Sequence, residues 1–159
     1  MAQEKFVVRS EEATEQASRF SHPWNPNSEL YGTRLSSLVG LSRVGVSRIC
    51  VPPGKESFVY HSHHREEEWI YVLSGCGVAE IDAEVFEVAA GDFLGFSAPQ
   101  VAHHLRNPYD EDLVYLVGGE ALDFDIAEFP RLGKRMVRRG QELEIYDSSD
   151  AKEFGPLGG

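Results

Sequence analysis

The stretch PGKESFVYHSHHREEEWIYVLSG, residues 53–75, decides how this chain is read. Three histidines and three glutamates crowd into 61–68, between two runs of aromatic and aliphatic residues. If SFVYHSH is a strand, side chains alternate with period two, and His61 and His63 share one face with Cα atoms roughly 6.6 Å apart. Two imidazoles leaning from that separation can share one ion. His64 then points to the other face or begins the turn, where a surface histidine is expected. EEWIYVLSG reads as the next strand, with Glu68, Ile70 and Val72 on one face and Trp69, Tyr71 and Leu73 on the other. A carboxylate at the head of an otherwise apolar face is costly to bury unless it is paired or coordinated. Glu66 and Glu67 fall in the loop and read as solvated. Downstream, VAHHLRN (101–107) supplies His103, with His104 on the opposite face by the same alternation.

Three neutral imidazoles and one carboxylate form a nitrogen–oxygen donor set suited to one divalent transition metal, whether Fe, Mn, Ni, Co or Zn. Such a set leaves coordination positions open for a Lewis acid or an oxygen-activating centre. A HxH pair is common, however, and spacing alone also fits a solvated polar loop.

The rest of the chain sets the frame. Its 159 residues suit one domain with a substantial apolar core. The net charge of −11 argues against nucleic acid and against an acidic membrane surface as partners. Cys50 and Cys76 cannot build a disulfide framework, so a reducing, cytoplasmic setting is expected. The N-terminus lacks the basic-then-apolar run of a signal peptide, and no segment approaches a membrane span. Residues 1–43 are the least regular. Ser10 is expected to cap a short helix beginning at Glu11. SHPWNPNSELYG (21–32) reads as an extended arm rather than a packed element. From Val44 onward, short strands recur between Pro, Gly and Asp turns, the pattern of an all-β sandwich or barrel. KRMVRR and ELEIY, around a turn at Gly140-Gln141, suggest a final strand pair.

At these residues the chain resembles the cupin superfamily. In the first motif of that family a Gly precedes HxH, three or four residues lead to a Glu, and six more separate that Glu from a Gly. Here His61, His63, Glu68 and Gly75 fall into place, with six residues rather than five separating Gly54 from His61. GDFLGFSAPQVAHHLRN (91–107) resembles the second motif through Gly91, Pro99, His103 and Asn107, with Gln100 where the family usually has Gly. The resemblance covers roughly 44–119. It implies a double-stranded β-helix, or jelly-roll, barrel carrying an N-terminal arm (1–43) and a C-terminal β extension (120–159). It also implies metal ligands His61, His63, Glu68 and His103, and a homodimer.

Around such a site, Tyr60, Tyr71, Phe96 and Arg131 are candidate substrate contacts, although core packing competes for each aromatic. The segment 131–140 carries Arg131, Lys134, Arg135, Arg138 and Arg139. These read as a solvated strand offset by acids such as Glu142 and Glu144, or as a phosphate or carboxylate site at Arg131, Lys134 or Arg135. The layout is similar to single-domain cupins catalogued as sugar-phosphate isomerases of the mannose-6-phosphate isomerase-like kind. That implies a metal-dependent isomerase acting on a small polar metabolite. The same donor set would serve an Fe(II)-dependent dioxygenase or a non-enzymatic sugar- or metabolite-binding protein.

Overall fold

The computed structural model describes residues 5–156, so both ends of the expected 1–159 domain lie outside it. In chain order the elements are α1 (Ser10–Glu15), β1 (Ser18–Phe20), β2 (Leu30–Arg34), α2 (Leu35–Leu38), β3 (Val44–Val51), β4 (Ser62–His63), β5 (Glu68–Ser74), β6 (Cys76–Ile81), β7 (Glu84–Ala89), β8 (Phe93–Phe96), β9 (His103–Arg106), β10 (Leu113–Glu120), β11 (Phe124–Phe129), β12 (Lys134–Arg139) and β13 (Glu142–Asp147). Three sheets result, ordered β1-β2-β3-β10-β5-β8, β13-β12-β11-β4 and β7-β6-β9. Every named strand pairing is antiparallel. This is the all-β jelly-roll barrel expected, with the C-terminal β12–β13 hairpin where the Gly140 turn placed it.

Alternation explains the core. On β3, Ile49 and Val51 turn inward; on β5, Ile70 and Val72; on β10, Leu113 and Tyr115. With Leu94, Phe96, Ala79 and Leu105 from the other strands they form one buried cluster. Each such side chain contributes roughly 1.5–3 kcal/mol on leaving water, against the ordering entropy of the chain. Two glycines are dictated by space. Gly75 takes φ +77° in the one-residue link from β5 to β6, where a Cβ would collide with the Asp112 carbonyl. At Gly118 a Cβ would enter the Trp69 ring, which packs flat against β10 from outside.

Three expectations need correction. The 21–32 region is not a free arm: β2 pairs with β3, β1 pairs with β2, and Trp24 packs on Phe129 in a satellite core. Pro23, Pro26 and the asparagines shape the turn between these strands, and Asn25 ties it to Glu56 and the Phe58 carbonyl. Arg9 rather than Ser10 holds the N-cap position of α1, without a side-chain capping bond. SFVYHSH is mostly not a strand either. Only Ser62–His63 joins a ladder, with β11, while His61 makes a single bridge to His103.

Candidate metal centre

Four side chains converge inside the barrel. His61 immediately precedes β4 and His63 ends it, Glu68 is the first residue of β5 and His103 the first residue of β9. The His61 ring lies 5.1 Å from that of His63 and 4.7 Å from that of His103, centroid to centroid. Glu68 Oε2 is the common focus, 2.9 Å from His103 Nε2, 3.5 Å from His63 Nε2 and 3.9 Å from His61 Nε2. Of these four, His61, His63 and Glu68 meet the separation required of donors to one ion, and His103 adjoins them through Glu68; His63, Glu66 and Asp125 form a second such group.

The opposite edge of each ring shows why these nitrogens are available. Nδ1–H of His61 donates to the Val59 carbonyl (2.6 Å), Nδ1–H of His103 to the Val101 carbonyl (3.1 Å) and Nδ1–H of His63 to Asp125 Oδ2 (2.7 Å). An acceptor at every Nδ1 holds that N–H and turns each Nε2 toward the focus, the arrangement of a metal-ligating imidazole once Nε2 is free of its proton. The residues present therefore fit a divalent transition metal.

Electrostatics agree. Burial, reinforced by the neighbouring His103, pushes His61 down to about 4, so it is neutral. Burial also acts against charge on His63, but hydrogen bonds to Asp125 and Glu68 overcome it and raise that imidazole to about 10. Burial would raise Glu68; contact with His103 and His63 instead holds it well below the carboxylate range. Asp125 is likewise lowered: burial opposes its charge, and the His63 hydrogen bond prevails. Two anionic carboxylates among three buried rings form a pocket that favours a positive charge, which a proton on His63 supplies when no ion is bound.

Two supporting carboxylates were not anticipated. Asp125, 3% exposed, lies on β11, which pairs with β4 at Ala127–His63. Glu66, read as solvated, is buried; it accepts from the Leu122 N–H (2.8 Å) and pairs with Arg138. Its second oxygen stands 3.9 Å from His63 Nδ1. The burial of both follows from long-range pairing, although the Asp-Ile-Ala-Glu alternation in β11 does mark Asp125 as sharing a face with Ala127.

The proposed substrate contacts sit elsewhere. Phe96 is buried and stacks on His103, centroids 3.6 Å apart and planes 3° from parallel, so it packs a ligand ring rather than lining open space. Tyr71 is exposed on the outer face of β5, as period two requires once Glu68 points in. Tyr60 lies beneath the Arg131 guanidinium (3.9 Å), and Arg131 pairs with Glu80 at 2.9 Å. The other four basic residues of 131–140 are paired too: Lys134 with Asp147, Arg135 with Glu128, Arg138 with Glu66 and Arg139 with Glu144. His64 meets Glu128 at 2.8 Å; His104 is buried between Glu56 and Glu80, 3.4 Å from each. Two of the four donors, His63 and Glu68, line a cleft of about 160 Å³ together with Glu67, Glu120 and Arg34 among others.

Fold and site together define a jelly-roll barrel inside which three histidines and one glutamate converge as a candidate metal centre. Residues 47–119 match the family described as Cupin domain. A crystal structure from Acidithiobacillus ferrooxidans, named "Putative sugar phosphate isomerase", is 35% identical over 94% of this chain and 97% of that one, with a TM-score of 0.89. The chain belongs to the cupin superfamily. A sugar phosphate isomerase of the cupin superfamily from Silicibacter pomeroyi shares the fold at 21% identity, covering 86% of this chain and 92% of that one with a TM-score of 0.77. An uncharacterised protein of Methanocaldococcus jannaschii is 37% identical over 57 residues, which is 36% of this chain and under half, 44%, of that relative. Among the described residues no helix is long and apolar enough to cross a membrane.

Proposed function

We propose that this protein is a metal-dependent isomerase of a small sugar phosphate. The observation that carries the reading is the convergence of His61, His63, His103 and Glu68, with His63 and Glu68 opening on a cleft and every Nδ1 held by an acceptor so that Nε2 faces the focus. Likeness to the Acidithiobacillus ferrooxidans protein supports the reaction type. His61, His63, Glu68 and His103 hold the ion, which when bound supplies Lewis acidity to a substrate carbonyl and its neighbouring hydroxyl. Asp125 and the Val59 and Val101 carbonyls keep the rings oriented. Phe96 closes the back of the His103 ring and excludes water there.

Aldose–ketose interconversion moves a proton between adjacent carbons and needs a base in the cleft. Glu66 is engaged by Arg138 and Glu68 by the histidines, which leaves Glu67 and Glu120 as the carboxylates lining it without a cationic partner, Glu120 accepting the Glu67 backbone N–H through one oxygen. We assign the base to this pair. The test loads the protein with each candidate metal and follows sugar phosphates in heavy water by NMR. Exchange of the proton next to the carbonyl, lost in Glu67→Gln or Glu120→Gln with metal content unchanged, is the expected result. Oxygen uptake tracking substrate loss would replace this reading with a dioxygenase.

A further inference from the structure

Resting on the isomerase reading, we infer that Arg34 is the residue that binds the phosphate of the substrate. It is the last residue of β2, and unlike the basic residues of 131–140 it has no ion-pair partner among the described residues. Its guanidinium lies over Gly45: a methyl group built there would stand 3.1 Å from it. Gly45 shares the inward face of β3 with Ser47 and Ile49. Gly45 is in register with Gly119, and Gly119 with Glu68. The row running from the guanidinium to Glu68 thus carries two glycines; no side chain arises from it, and the Glu67 backbone carbonyl lies over the second glycine.

Two strand spacings separate Gly45 from Glu68, on the order of 10 Å. A lone carboxylate cannot touch both the centre and Arg34. A chain of a few carbons with its carbonyl at one end and a phosphate at the other can. A planar guanidinium with free N–H donors is suited to bind phosphate through paired hydrogen bonds. The charges facing Arg34 across the cleft are Glu67 and Glu120 at the rim, Glu68 at the centre and the mutually neutralised Arg138–Glu66 pair. Anion binding therefore depends on the cation being present to offset these acids.

The test measures inorganic phosphate binding to metal-loaded protein by calorimetry, comparing wild type with Arg34→Gln and with Gly45→Val, which fills the space the guanidinium occupies. Arg34 is exposed, so its replacement leaves the core intact. The expected result is at least tenfold weaker phosphate binding in both variants, with metal content and melting temperature of Arg34→Gln unchanged. Phosphate affinity within twofold of wild type in Arg34→Gln overturns the assignment. Phosphate binding that depends on Arg34 in a protein that isomerises no sugar phosphate sinks the isomerase reading and leaves this one standing. Isomerisation in a protein whose phosphate binding ignores Arg34 does the reverse.

Discussion

The inner and outer sides of the barrel mouth take their residues from the same stretches and treat them in opposite ways. His61, His63 and His103 turn inward, and their Nε2 atoms share one carboxylate, Glu68. His64 and His104, chain neighbours of two of them, turn outward and take acids of their own, Glu128 for the first and Glu56 with Glu80 for the second. Outside, positive and negative groups are matched locally, as with Arg131 on Glu80 and Arg135 on Glu128. Inside, several donors aim at one point and each is steadied from behind. Abundance of polar residues is common to both sides; convergence belongs to one.

The comparison breaks first at Glu68. Glu68→Ala is expected to lose nearly all bound metal by elemental analysis, and full retention would falsify its place as a ligand. Next comes Asp125→Asn, which keeps the size of the side chain but not the anionic acceptor for His63. Metal affinity should fall roughly 10–100-fold; an unchanged competition titration with a chelator would reduce Asp125 to a loop anchor.

The third effect is pH. His63, raised to about 10 without metal, must release a proton before it ligates, whereas His61, pushed down to about 4, is already neutral. Metal affinity should therefore rise with pH up to that value, by about tenfold per unit, with proton release on binding. Affinity flat with pH contradicts the pairing of His63 with Asp125.

The outer side gives the smaller effects. His104→Ala removes a buried ring flanked by two carboxylates and should cost about 1–3 kcal/mol of stability while metal content stays put. Loss of metal in that variant would erase the distinction between the two sides. Arg131→Gln should shift stability by less than about 1 kcal/mol, since its bridge to Glu80 is half exposed, and should leave metal content unchanged. A large change in either means that the outer ion pairs support the centre.

Local pattern was enough for part of this. Period-two alternation separates Glu68 from Trp69 and Tyr71, and His103 from His104, without reference to any partner strand. It puts His61 and His63 on one side even though most of SFVYHSH is not in a ladder, because a two-residue step restores the side-chain direction in any extended chain. Pairing across long separations was not legible. Asp125 stands 62 positions beyond His63, and nothing near either residue announces the β4–β11 contact. Arg34 reaches the cleft only because β2 adds to β3, a pairing obscured by the prolines and asparagines before it. Glu66 looked solvated beside Glu67, and only the approach of Arg138 from β12 buries it.

The β4–β11 contact also dates the assembly of the centre. Its candidate ligands span His61 to His103, yet the Asp125 carboxylate that holds the His63 ring lies further on. At about 5–20 residues per second of synthesis, the interval between those two residues is roughly 3–12 s. During that time the nascent chain carries the histidines without the strand that aligns them. The candidate pocket is thus completed by a strand made after all four of its donors, as is the sheet, in which β10 joins β3 to β5.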